Sequence, residues 1–329
     1  MALLTPVPLD AARRLGALYG LDVASARPIL AGSVNTNLEL ALAGGGRAFL
    51  RVYEEQTLAT AAGEARLLAH LSGHGVPTPC PLPLAATPDA FIVEHAGKPV
   101  SVFPWVDGDM LCQASVTPAA TAQIGAALAR VHLAAASFDA PPSRFGAAQL
   151  QGRLDAIRGT PRLLPELTVV VERLAARLDR FADRAPGRDD AGLVHGDLFR
   201  DNVLWRDGRI AALLDFESAS HESYPFDLMV TILAWCFGDR LDPALARAMA
   251  RGYASVRPLP EAEADRLHAE GSYAALRFSI TRITDFELRP RHSDANGTGG
   301  VLKDYRRFLA RADALDQLGA VGLRTFLGV

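Results

Sequence analysis

The segment LVHGDLFRDNVLW, residues 193–205, sets His195, Asp197, Asp201 and Asn202 between apolar flanks. Just downstream, an Asp207-Gly208 turn folds NVLW back against IAALLDFE, a hairpin that brings Asn202 and Asp215 to the same end. A carboxylate and an amide oxygen are hard ligands suited to Mg²⁺. Asp197, one loop away, is free to act as a base. This arrangement suits phosphoryl transfer, where catalysis is mostly positioning and neutralisation of phosphate charge. Acidic and amide residues in a turn more often only cap strands. Here, however, His-x-Asp-Leu-x-x-x-Asn with a later Asp-Phe is a pattern of several parts. His195 by itself reads as a packed loop residue and receives no chemistry.

Phosphate chemistry also needs groups that approach a triphosphate. The stretch LAGSVNTNLEL offers Gly32, Ser33, Asn35 and Thr36 at the turn before a strand, small and polar enough for close approach. It is not a G-x-G-x-x-G loop, and no G-x-x-x-x-G-K-[ST] occurs in the chain. In AFLRVYE, alternation puts Phe49, Arg51 and Tyr53 on one face of a strand. Glu64 shares a helix face with Leu67, Leu68 and Leu71. A carboxylate on an apolar stripe is costly to bury unless it is paired.

The elements that must position these residues divide the chain near residue 105. Residues 1–104 read as strands and one helix. NTNLELALAGGGRAFLRVYE is a hairpin about Gly44-Gly45-Gly46, AFIVEH and KPVSVFPWV pair about Gly97, and a helix spans roughly 57–72. Residues 105–329 read as helices at about 118–137, 150–184, 225–238, 242–256, 261–288 and 301–317, with the 202–217 hairpin as a β island. The expected class is α+β: a small antiparallel-sheet lobe followed by a larger, mostly helical one.

Bulk properties narrow the function. With 34 basic and 37 acidic residues the formal charge is −3, which argues against nucleic acid as a partner. No apolar run suits a bilayer span or a secretory leader, since LMVTILAWCFG stops at Asp239. Cys80, Cys112 and Cys236 are scattered and odd in number, so neither a disulfide framework nor a metal-binding Cys cluster is expected, and the cytoplasm is the expected compartment. A metal hydrolase built on His195 and Asp197 is rejected for want of a second His cluster with ligand spacing.

HGDLFRDNVLW followed by LLDFES resembles the catalytic and metal-binding loops of the aminoglycoside phosphotransferase and choline kinase group, whose fold is protein-kinase-like and bilobal. The resemblance implies an enzyme that uses ATP and Mg²⁺, with Asp197 as catalytic base and Asn202 and Asp215 as metal ligands. Arg51 occupies the slot that carries a phosphate-binding Lys in the wider family; it keeps the charge but reaches differently. Its implied partner is Glu64. VFPWVDGD corresponds to the hinge, where Trp105 and Val106 would offer main-chain groups to adenine, because Pro104 has no N–H. Leu204 would lie beneath the adenine. Asp227, in YPFDLMV, would brace the catalytic loop; an Asp opening a helix also stabilises its dipole. Three departures from protein kinases make an activation loop and a protein substrate unexpected. The chain has Gly196 in place of Arg, Phe216-Glu217 in place of Phe-Gly, and no Ala-Pro-Glu after them.

Further stretches, AGKPVSVFPWVDG, RVHLAAASF and ALRFSITRITDFELRP with LKD after it, look like the homoserine kinases of this fold. That implies phosphorylation of the side-chain hydroxyl of L-homoserine, a step toward threonine. A zwitterionic acceptor needs a cation for its carboxylate and an acid for its amine. Residues 277–291 carry Arg277, Arg282, Arg289 and Arg291 against Asp285 and Glu287. Arg277 and Arg282 are too far apart around a helix for both to face one ligand, and one of them is then structural. Glu217 is the candidate for the amine. Arg200 would steady either the γ-phosphate or the substrate. This basic segment has the wrong sign for a polycationic aminoglycoside, and YAALRF is a thin aromatic cluster for a choline cage. The rival readings are a kinase of another small alcohol or amino sugar, and a non-catalytic nucleotide-binding protein on the same fold.

Overall fold

The structure, a computed structural model, describes residues 5–29, 34–185, 190–288 and 304–329. It forms two compact units, Met1–Asp109 with Leu204–Glu217, and Met110–Val203 with Ser218–Val329.

The first unit is built on a five-stranded antiparallel sheet of β1 (Val23–Pro28), β2 (Thr36–Leu42), β3 (Arg47–Val52), β4 (Val93–His95) and β5 (Lys98–Pro104), in the order β1-β2-β3-β5-β4. Alternation along β2, β3 and β5 sends Leu38, Leu40, Leu50, Val52, Val100 and Val102 into one core. Helix α1 (Leu9–Leu18) packs Ala11, Ala12 and Leu15 against that core. Neither this helix nor β1 follows from the pattern of large apolar residues, because α1 buries two alanines and a glycine beside a single leucine. The expected 57–72 helix is α2 (Leu58–Gly73), capped where Thr57 accepts from the Thr60 N–H. The hairpin expected about Gly97 is present. It turns through Ala96 and Gly97, with φ of 51° and 74°, the signature of a two-residue I′ turn.

The second unit is mostly helical: α3 (Pro118–Ala134), α4 (Ala147–Arg158), α5 (Pro165–Leu178), α6 (Tyr224–Trp235), α7 (Pro243–Ala254), α8 (Glu261–Arg282) and α9 (Arg306–Leu327). Every residue of α6 is buried, so this helix, apolar on all sides, is the axis of the unit. Between α5 and α6 the chain forms four short strands: β6 (Ala191–Val194) and β9 (Ser220–Ser223) belong to this unit, while the hairpin of β7 (Val203–Arg206) and β8 (Arg209–Leu213) belongs to the first from Leu204 onward. Strand β6 pairs antiparallel with β9, and β7 pairs with β8 about Asp207-Gly208.

The single helix expected over 150–184 is two helices, α4 and α5. RGTPRLLP between them contains Gly159, Pro161 and Pro165, and Pro165 is tolerated only because it opens the next helix. The 261–288 helix ends as α8 at Arg282 and continues as one π-helical turn, Ile283–Glu287. The expected 301–317 helix is described from Arg306 as α9 and runs on to Leu327 through a kink at Gly319. Among the described residues no helix is long and apolar enough to cross a membrane.

Candidate active site

In the second unit, strand β6 delivers the chain into the His195–Asn202 loop. The loop is tied down by backbone groups. The Asp197 carbonyl accepts from the Phe199 N–H at 2.7 Å and from Asn202 Nδ2 at 2.8 Å. Trp235 Nε1, at the end of α6, donates to the Leu198 carbonyl at 2.9 Å. Beneath the loop lies Asp227, 0 % exposed. Its Oδ2 accepts from the His195 N–H and its Oδ1 from the Gly196 N–H, both at 2.8 Å. His132 Nε2 lies 2.9 Å from the same Oδ2. The brace expected at Asp227 is therefore present, with His132 of α3 as an added member. His195 is buried, and its Nδ1 accepts from the Asp197 N–H at 3.3 Å, a loop-shaping role.

Gly196 has φ of +73°, and a Cβ there would lie 2.9 Å from the Ser218 carbonyl oxygen. Both facts forbid the Arg found here in protein kinases. Gly196→Ala is expected to cost about 1–3 kcal/mol, from left-handed strain and displacement of Ser218. A denaturant midpoint shifted downward checks this; an unchanged midpoint contradicts it.

In the first unit the candidates gather around Arg51. Strand β3 is interior to the sheet, and the Arg51 guanidinium sits 5.6 Å from the Phe49 ring and 5.9 Å from the Tyr53 ring. Its ion pair, at 3.6 Å, is with Glu217. Glu64, 8 % exposed, instead accepts from Gln56 Nε2 at 2.9 Å. The expected Arg51–Glu64 pair is thus replaced by Arg51–Glu217, although Glu64 still acts on Arg51 through its charge. Asn35 donates from Nδ2 to Glu217, while its Oδ1 accepts from the Glu54 N–H at 3.2 Å. Glu217, expected as a receiver for an amine, is therefore engaged by Arg51 and Asn35. Ser33 and Gly32 lie outside the described residues.

One guanidinium here faces three carboxylates, Glu64, Asp215 and Glu217. Burial would lower the Arg51 pKa, but Asp215, Tyr53, Glu217 and Glu64 together raise it above its ordinary value. Burial first, and then the charge of Glu217, pushes Glu64 upward; burial and then Asp215 do the same to Glu217. Crowding three carboxyl groups about one guanidinium therefore raises the proton affinity of two of them, and a cation placed among them would favour their ionised forms. Asp215 itself ends the β7–β8 hairpin in a left-handed conformation, φ +64°, which few non-glycine residues adopt. Among the described residues no group of three or more His, Cys, Asp or Glu is arranged to hold a metal.

The hinge residues meet the hairpin within the first unit. Asp109 and Trp205 exchange N–H···O bonds at 2.9 Å in both directions. A Cβ on Gly108 would lie 2.9 Å from the Trp205 carbonyl and 3.0 Å from Leu204 Cβ, so only glycine lets the two backbones approach. Trp105, Val106 and Leu204 are all half-buried here. Trp105 Nε1 donates to Asp107 at 3.0 Å, and the Arg47 guanidinium lies 4.5 Å from the Trp105 ring centroid.

The expected substrate arginines separate. Arg277 is 3 % exposed, donates to the Gly196 carbonyl and lies 3.9 Å from the Phe145 ring. Burial draws its pKa down to about 10, with Asp197 and Asp227 opposing the fall. It holds the loop from behind. Arg282, at the end of α8, is half-buried and donates to the Asp304 carbonyl at 3.3 Å. Arg200 lies half-buried in the loop itself.

A family model described as "Phosphotransferase enzyme family" matches residues 25–259. The chain belongs to this phosphotransferase family. It is 33 % identical over 306 residues to a homoserine kinase of Gluconacetobacter diazotrophicus, covering 88 % of this chain and 90 % of that one. A homoserine kinase of Mesorhizobium japonicum is 33 % identical over 272 residues, 80 % of this chain and 82 % of the relative. Among solved structures, a spectinomycin phosphotransferase bound to ADP and spectinomycin superposes with a TM-score of 0.71 at 13 % identity, over 95 % of this chain and 100 % of that one. An amicoumacin kinase bound to AMP-PNP, Ca²⁺ and its drug gives 0.69 at 18 % identity, over 94 % of both chains. The fold is that of the protein-kinase-like phosphotransferases, as the motif resemblance implies. The enzyme is a kinase that uses ATP and phosphorylates a hydroxyl group.

Some members of this phosphotransferase's site were not visible in its sequence. His132 lies in RVHLAAASF, a stretch read only for likeness, and nothing in its spacing shows that it meets Asp227. Arg184, which donates to Glu222 and Glu270 at 2.6–3.2 Å and so ties strand β9 to α8, likewise carries no motif.

Proposed function

We propose that this phosphotransferase transfers the γ-phosphoryl group of Mg-ATP to the side-chain hydroxyl of L-homoserine. The observation that carries the choice of acceptor is the one-third identity, over most of both chains, to relatives called homoserine kinase. Asp197, on a loop fixed by Asp227 and Arg277, accepts or orients the hydroxyl proton. In the first unit Arg51 and Asn35 serve the phosphates, with Ser33 beside them in sequence. Glu217 pairs with Arg51 and aims it, and the charge of Asp215 acts on the same guanidinium. The main chain of Trp105 and Val106 and the side chain of Leu204 serve the adenine.

Asn202 and Asp215 are the residues that would hold Mg²⁺. Asn202 spends its Nδ2 on the Asp197 carbonyl, which leaves its Oδ1 as a donor to the ion. The ion would supply neutralisation of phosphate charge. Arg282 and Arg200 remain the candidates for the acceptor, while the buried position of Arg277 supports a structural role for it. Three free cysteines suit the cytoplasm, where we place the enzyme, with a small molecule as its partner rather than nucleic acid or membrane.

A coupled assay of ADP release tests the acceptor, run with Mg-ATP and L-homoserine, L-serine, choline, methylthioribose, kanamycin or no acceptor. Turnover with homoserine well above the others is the expected result. Turnover only with another alcohol keeps the mechanism and overturns the acceptor. Nucleotide binding with no turnover at all favours the non-catalytic reading.

A further inference from the structure

The second unit holds more positive charge near Asp197 than loop and helix packing uses. Four arginines converge there: Arg200 from the loop, Arg282 from the end of α8, and Arg307 and Arg311 one turn apart on α9. The guanidinia of Arg282 and Arg311 each lie 4.4 Å from the Phe308 ring centroid. Phe308 in turn packs 6.0 Å from Phe199, the neighbour of Arg200, and Arg282 lies 5.9 Å from that same ring. Arg311 is 6 % exposed and donates to the carbonyls of Leu233 and Arg307, both at 2.8 Å. Asp197, Asp201 and Asp304 act on Arg282 through their charge, whereas aromatic faces and carbonyls soften the charge of Arg311 without neutralising it.

No carboxylate within the described residues forms an ion pair with Arg200, Arg307 or Arg311. The side chains of Arg200 and Arg307 are half-buried and make no hydrogen bond there. The strain is visible electrostatically. Burial, then the charges of Arg282, Arg307 and Arg200, draws the Arg311 pKa down to about 9. Arg200 is lowered by burial and by Arg307, against Asp201. At about 10 and about 9, Arg282 and Arg311 both remain cationic at neutral pH. Such a cluster is costly unless an anion visits it.

We propose that Arg307 and Arg200, backed by Arg282 and Arg311, form the subsite for a carboxylate on the acceptor, so that the enzyme selects hydroxy acids over plain alcohols. This deepens the acceptor reading above and rests on it only for the direction of transfer. The charge of Asp197 acts on Arg282, which puts the cluster on the side of the base rather than with Arg51 in the other unit. A planar guanidinium pair matches a carboxylate fork. α9 was expected from its periodicity, but nothing in the sequence joins Arg307 and Arg311 to the loop.

The test compares kcat/KM for L-homoserine and for its carboxamide, in which a neutral amide replaces the carboxylate, in wild type and in Arg307→Gln and Arg200→Gln. Wild type is expected to prefer the carboxylate by about ten- to a hundredfold. Each variant is expected to lose most of that preference through a raised KM for homoserine, with the KM for Mg-ATP within about twofold of wild type. A variant whose two substrates fall together has lost structure, and then an unchanged preference counts against the subsite. The panel includes L-serine and 4-hydroxybutyrate. If one of these is the acceptor in place of homoserine and its use depends on Arg307, the subsite stands and the homoserine reading fails. If wild type shows no carboxylate preference, or turns over no hydroxy acid at all, the subsite is wrong while the kinase assignment is untouched.

Discussion

Asp197→Asn is expected to lower acceptor-dependent kcat by about a thousandfold while leaving the affinity for Mg-ADP within about twofold. The substitution keeps size and shape and removes only the proton-accepting charge. The backbone at residue 197 is also held by main-chain hydrogen bonds that the substitution keeps. The Asp197 carbonyl is held by Phe199 and Asn202, and its N–H by His195. The nucleotide candidates around Arg51 keep their own partners, Glu217 and Asn35, in the variant, so ADP binding, followed by calorimetry, serves as the control. Retention of more than about a tenth of wild-type kcat would show that Asp197 is not the base, since general bases typically contribute a hundredfold or more.

The second large effect is expected at Asp227. Its carboxylate receives the N–H groups of His195 and Gly196 and faces His132, and nothing in the surrounding core replaces it. Asn in its place offers one acceptor oxygen instead of two and turns an NH₂ toward buried donors. A loss of about 3 kcal/mol in unfolding free energy is expected, because buried donors are left unsatisfied. A fall in kcat should accompany it, as the loop beneath Asp197 loosens.

The effect should depend on pH. Burial pushes the Asp227 pKa up, but the hydrogen bond and charge of His132, the charge of His195 and the Gly196 N–H outweigh it and hold the pKa below its ordinary value. A depressed carboxylate stabilises the fold above its unfolded pKa, near 3.9, and loses that contribution as pH falls through the lower folded value. The difference between wild type and Asp227→Asn, measured by denaturant unfolding, should therefore be full at neutral pH and shrink below about pH 4. A difference under about 1 kcal/mol at neutral pH, or one that does not change with acid, contradicts this account of the brace.

How far the sequence foretold these features depends on whether the partners are local. His195, Asp197 and Asn202 are neighbours in the chain, and Asp207-Gly208 is a turn signal between two short strands, so the loop and the hairpin after it could be named from spacing. The hairpins about Gly45 and Gly97 were legible for the same reason, as turn residues between alternating strands. Arg51 shows the limit. Its strand face was predictable, yet the choice between Glu64 on α2 and Glu217 after β8 is decided by how distant segments pack. Arg277 could be recognised as a basic residue of a long helix, but its burial against Phe145 and the Gly196 carbonyl depends on elements far apart in sequence. Alanine-rich α1 and the interrupted α4–α5 region were obscured because small residues and loop prolines blur helical periodicity.

The central claim is that a phosphoryl group leaves ATP for a side-chain hydroxyl under the direction of Asp197. Phosphorus NMR of a reaction containing Mg-ATP and L-homoserine follows that transfer itself. The account predicts a phosphomonoester resonance coupled to methylene protons, growing as ADP forms and growing about a thousandfold more slowly with Asp197→Asn. Release of ADP with inorganic phosphate alone, or an ester formed equally well by the variant, would contradict it.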